Sequence, residues 1–148
     1  MKEFIFLAVA ENVLSILQNK EQKKIAQNAI LDCWDWIETK EKEGDYFYGL
    51  LDHEDRGLVL FQESTYYKKE IYAWNCIIDA VAYFSKKAYE FNFFPQAIEI
   101  IDDTLIEHSI ENFLKCNKNA ACFIDNVIKI CIDITDIKML KKKLSQLF

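Results

Sequence analysis

Glycine and proline are scarce in this chain: 3 and 1 among 148 residues. Most turn chemistry is therefore absent, which argues against an all-β sandwich or barrel. No glycine-rich loop is left to cradle a phosphate. Arginine is scarcer still, with Arg56 standing alone among 18 basic residues. Arginine is the preferred side chain for bidentate phosphate contacts and for reading guanine. Its scarcity and a formal charge of −6 argue against a nucleic-acid binder. No window approaches the 18 or so apolar residues of a membrane span. The apolar run Phe4–Ala10, with Ala8-Val9-Ala10 at its end, is too short for a signal peptide, and Lys2 beside Glu3 makes a poor leading segment. The chain reads as cytoplasmic. Its five cysteines (Cys33, Cys76, Cys116, Cys122, Cys131) are odd in number, lack Cys-x-x-Cys spacing and sit among apolar residues. That pattern predicts buried thiols in a reducing compartment, not a disulfide frame.

What is present is a folding chain: 51% hydrophobic, 28% charged and 14% aromatic. The length suits one domain, residues 1–148, with a core that needs neither metal nor disulfide. Apolar residues recur at helical spacing almost throughout. Phe4, Leu7, Ala8, Leu14 and Leu17 predict a helix over 3–18. Ile25, Ala29, Cys33 and Trp36 predict a second, ending near Lys42-Glu43-Gly44. Tyr46–Asp55 and Leu58–Glu63 predict two short pieces. The clearest stripe is Ile71, Trp74, Ile77, Ile78, Val81, Phe84 and Ala88, with Lys69, Asn75, Asp79, Lys86 and Glu90 off it. Pro95 opens a further segment, and Thr104-Leu-Ile-Glu107 has the capping-box pattern before a helix reaching Lys115. Ile128, Ile130, Ile132 and Ile134 alternate like a strand, but the longer register Phe123, Val127, Ile130, Ile134, Ile137 favours a helix. Ile137, Leu140, Leu144 and Leu147 make a last one. The expectation is an all-α bundle of seven or eight helices.

Charge is unevenly placed. From Glu43 to Ser64 the balance is −5, and from Pro95 to Phe113 it is again −5, while Leu114 to the end carries +4. Solvated helix faces would account for single acids. Two such segments together also suit a surface that steers a basic partner.

Catalytic constellations are thin. His53 and His108 lie in no His-Glu-x-x-His or Glu-x-x-His pattern. Glu107, His108 and Glu111 read as a solvated helix, and His53-Glu54-Asp55 cannot converge on one ion from a helix. Cys33 and Cys76 lie on apolar stripes, where packing is the expected role of a thiol. Gly-x-Ser-x-Gly, Walker and Rossmann patterns do not occur. No cofactor, metal or catalytic residue is assigned. Recognition fits better: Tyr46, Tyr48 and Tyr66 lie in or beside the first acidic segment, and aromatic anchors carry much interface energy. Phe47 and Tyr72 are assigned to the core.

Cys33-Trp-Asp-Trp36, Tyr48-Gly-Leu-Leu-Asp52, Ala73-Trp-Asn-Cys-Ile-Ile-Asp-Ala-Val-Ala-Tyr83 and Lys87-Ala-Tyr89 resemble the immunity protein six family. These are all-helical proteins of bacterial polymorphic-toxin and contact-dependent inhibition systems. The resemblance spans roughly residues 1–105; helical proteins of the DUF416 type are similar more distantly. It implies an antidote without catalysis, whose partner is the C-terminal domain of a cognate toxin, often a nuclease. Trp74, Tyr83 and Tyr89 then read as structural. Nucleases hold phosphates and tend to be basic, so an acidic inhibitor gains steered association. The expected toxin-binding set is Glu43, Asp45, Tyr46, Tyr48, Asp52, Glu54, Asp55, Glu63, Tyr66, Asp102, Asp103 and Glu107. No direct nucleic-acid or membrane contact is expected. The alternatives are a helical adaptor without a toxin, and a small enzyme using Cys76 or His108.

Overall fold

The computed structural model describes residues 1–92 and 104–147. Eight α-helices and one 3₁₀ turn account for most of them, and no strand occurs among the described residues. The helices are α1 (Lys2–Val13), α2 (Lys20–Thr39), α3 (Gly44–Asp52), α4 (Leu58–Glu63), α5 (Lys68–Asn92), α6 (Thr104–Cys116), α7 (Ala120–Asp133) and α8 (Ile137–Ser145); the 3₁₀ turn, Leu14–Ile16, follows α1. The all-α bundle expected from the apolar periodicity is what the chain forms. The segment around Pro95 lies outside the described residues.

The long α5 organises the bundle, with α1, α2, α3, α4 and α6 all packed on it, α7 on α1 and α8 on α7. The first helix differs from its sequence reading. Ile5 to Ala10 are all buried, so α1 is apolar all round and not amphipathic, as befits a central helix. It is also shorter than 3–18, because Leu17 is extended. Aromatic contacts tie the layers together: Phe6 stacks on Tyr83 at 4.6 Å and Trp36 meets Phe84 edge-on at 5.9 Å. The Trp34 indole N–H donates to Glu11 Oε1 at 2.7 Å, fixing α2 to α1. Burial raises the Glu11 carboxyl, and that hydrogen bond partly offsets the shift.

Helix ends follow ordinary chemistry. Asn19 and Asp136 cap α2 and α8 by accepting from the N–H groups of Gln22 and Met139. The second helix stops at Thr39, before the expected end near Lys42-Glu43-Gly44, because Lys40 takes a left-handed conformation with φ 54°. The five thiols are free. Cys33, Cys76 and Cys116 are buried, but Cys122 is exposed, which corrects the expectation that all five pack inside. A 14-residue α7 points it to solvent even though its sequence neighbours are apolar.

Candidate functional site

The α3–α4 corner is held by two close approaches. Gly44 opens α3 beneath the ring of Tyr89 from α5, and a Cβ there would collide with that ring. The Gly44 carbonyl accepts from Ser85 Oγ at 2.9 Å, and Tyr89 donates to the Asp45 carboxylate. That bond is the main cause raising the Tyr89 hydroxyl to about 12. At the far end of α3 the chain turns sharply. His53 Nδ1 accepts from the backbone N–H of Asp55 (3.1 Å) and Arg56 (3.0 Å), and Gly57 N–H donates to the His53 carbonyl at 2.9 Å. A Cβ on Gly57 would lie 2.6 Å from the carbonyls of His53 and Leu51, so the turn demands glycine. The sequence reading extended this helix to Asp55; the turn ends it at Asp52.

This turn presents a shallow depression of about 220 Å³, lined by Leu51, Asp52, His53, Glu54, Val59, Leu60 and Glu63. Three carboxylates stand around an apolar floor, and its lining contains no lysine or arginine. The C-terminal end of α3 adds its negative dipole to the same place. A lysine or arginine side chain suits such a site: the stem packs on the floor and the charged head meets the acids.

The other expected residues divide. Tyr48 is 55% exposed on the helix face it shares with Asp45 and Asp52. Tyr46 is 41% exposed, but its hydroxyl donates to Asp32 Oδ2 at 2.6 Å and the Lys42 ammonium sits 4.3 Å from its ring centroid. Glu43 is exposed just before α3. Asp55 faces elsewhere, lining a crevice against α2 with Arg56. Tyr66 is 93% exposed between α4 and α5. Glu107 is exposed on α6, whereas Asp102 and Asp103 lie outside the described residues. Leu60 and His53, absent from the expected set, belong to the depression; Leu60 is exposed beside acids, a signal that periodicity alone does not give.

The α5–α6 seam corrects the sequence reading most. Asp79, off the apolar stripe in the sequence, is buried, while His108 is exposed on α6 as the sequence suggests but reaches back to the seam. In the structure His108 Nδ1 and Asp79 Oδ2 are 2.6 Å apart. Burial pushes the Asp79 carboxyl up to about 6, against the opposing pull of His108. Asn112 continues the network: its amide lies 3.2 Å from His108 Nε2, and its carbonyl accepts from Asn75 at 3.0 Å. Gln62 of α4 donates to Asn75 at 3.4 Å. A polar chain thus runs from α4 through α5 to α6. Among the described residues no three metal-ligating side chains converge, and no helix is long and apolar enough to cross a membrane.

No curated protein and no solved structure matches the chain. A family model does, that of Immunity protein Imm6, over residues 1–116. This match reaches from the start of α1 to the end of α6, and so includes both the α3–α4 corner and the α5–α6 seam. The chain belongs to the Imm6 family of immunity proteins.

Proposed function

We propose that this protein is the antidote of one cognate toxin domain, a basic nuclease, and that it neutralises the toxin by direct binding without catalysis of its own. Family membership supports the toxin as partner. The observation that carries the binding mode is the depression between α3 and α4, where Asp52, Glu54 and Glu63 surround Leu51, Val59 and Leu60. It accepts a basic side chain of the toxin, with Tyr48 beside it as an aromatic anchor. Acids around the site accelerate encounter with a basic partner, and local shape and charge set which toxin is accepted.

Co-expression is the test. The C-terminal domain of the protein encoded immediately upstream is produced in a bacterium with and without this chain. Rescue of growth, with a complex that co-purifies, supports the reading. Killing without rescue, or an upstream product that is not toxic, overturns it and leaves the helical adaptor as the better account.

A further inference from the structure

The three tryptophans differ in how their indole N–H groups are satisfied. Trp34 donates to Glu11. Trp36 and Trp74 have no hydrogen-bond partner for theirs among the described residues. Trp74 is sealed in the core, whereas Trp36, 5% exposed, lines a cavity of about 380 Å³ where α1, α2 and α5 meet. That volume suits a small molecule, and a buried N–H without an acceptor is costly. The other walls are aromatic too: Trp36 meets Phe84 and Phe91 edge-on at 5.9 and 6.2 Å. Four charged side chains share the lining, and three of them are paired. Glu3 meets the N-terminal ammonium at 3.2 Å, and Lys87 meets Glu90 at 3.9 Å. The fourth, Lys40, is ion-paired with no carboxylate among the described residues. Its ammonium donates to the Ile37 carbonyl at 2.8 Å and sits 4.0 Å from the Trp36 ring centroid. Burial lowers this ammonium and the Glu3 charge opposes the shift, so an anion beside it favours its charged form. The cavity thus joins an apolar wall to one unpaired cation and one unused donor.

We infer that this cavity binds a small amphipathic anion, a molecule with one carboxylate on an apolar body. The body packs on Trp36, Phe84 and Phe91. The carboxylate pairs with the Lys40 ammonium, and one of its oxygens accepts from the Trp36 N–H. That N–H is closed to bulk water, with the Lys40 ammonium and the Phe91 ring against the indole. Phe91 is 58% exposed and Lys40 half-buried. Surface side chains exchange rotamers within nanoseconds, so both yield to an entering ligand. The site belongs to the protein alone and stands or falls separately from the toxin.

The experiment titrates the purified, nitrogen-labelled full chain with 2-naphthoate and with octanoate, a flat and a flexible body bearing the same head. The indole N–H signals, assigned through the backbone, report on all three tryptophans at once. With at least one probe, the Trp36 signal is expected to move downfield and saturate while those of Trp34 and Trp74 hold still. Naphthalene-2-methanol, the uncharged counterpart of 2-naphthoate, is expected to bind about tenfold more weakly. Lys40→Gln, which keeps the stem and removes the charge, is expected to weaken 2-naphthoate about tenfold and to leave the alcohol unchanged. A purely structural Lys40 affects both naphthalenes alike. The inference is overturned if neither carboxylate gives a saturable Trp36 shift up to roughly 10 mM. It is equally overturned if Trp74 moves in parallel with Trp36, or if Lys40→Gln binds 2-naphthoate as the wild type does.

Discussion

The α3–α4 corner and the α5–α6 seam use the same residue chemistry in opposite ways. At the corner, Asp52, Glu54 and Glu63 are exposed and face no lysine or arginine in their depression. At the seam, Asp79 is buried and meets His108, with Asn112, Asn75 and Gln62 extending the contact. Exposed carboxylates add little to folding and leave their field available to a partner. A buried carboxylate must be paired or neutralised, so it specifies how two helices meet. In the proposed function the corner serves recognition, while the seam fixes how α5 and α6 meet.

Charge reversal separates them most strongly. Asp52→Lys, Glu54→Lys and Glu63→Lys together are expected to weaken toxin binding by roughly 4 kcal/mol, about a thousandfold. Each is expected to change stability by no more than about 0.5 kcal/mol, since all three are exposed. Calorimetric titration beside a thermal melt reads both numbers. Loss of folding with unchanged binding would reverse the assignment.

The pH dependence of the seam has a definite sign. The Asp79 carboxyl is raised from 3.8 to about 6 in the folded chain, so its proton favours the native state. That contribution is present below about pH 3.8 and lost as pH rises through about 6. Relative to Asp79→Asn, the wild-type chain should lose up to about 3 kcal/mol across that window, at 1.36 kcal/mol per pKa unit. Urea melts at pH 3.5 and 7 test this; parallel stability curves for the two proteins would refute it.

His108→Ala has a smaller expected effect, roughly 2 kcal/mol at pH 7, because it deprives a buried carboxylate of its closest partner. The loss should shrink at pH 4, where Asp79 carries its own proton. Toxin affinity measured under folding conditions should hold within about twofold. A deficit independent of pH would mean that His108 acts through packing alone.

The smallest effect expected is that of Tyr48→Phe, which keeps the ring and removes the hydroxyl: about 1 kcal/mol or less in binding, with no change in melting. Tyr48→Ala should cost more, roughly 2 kcal/mol of affinity, if the ring is an anchor. Equal affinities for both variants and wild type would remove Tyr48 from the interface.

Helices were legible in the sequence wherever one face was apolar. The α5 stripe follows from periodicity, and so does α7 as far as Ile130, but Ile134 of the same register is extended and Ile137 opens α8. The α1 boundaries were harder to read, because a helix buried all round has no polar face to mark its register. The acids of the corner were legible as a charge excess, but their division was not. Asp45 is engaged by Tyr89 and Asp55 turns toward α2, contacts that depend on tertiary packing. The seam was opaque for the same reason. Asp79 and Asn75 look like solvent positions on a helical wheel, and only the packing of α6 gives both a partner, with Asp79 buried and Asn75 partly so.

The most direct test of the account is the affinity of the upstream-encoded toxin domain for the wild-type chain and for the folded triple charge reversal, measured at low salt. The account predicts tight binding by the first, weakened steeply by added salt, and a loss of about a thousandfold in the second. Equal affinity for both proteins would contradict it and place the toxin on another face.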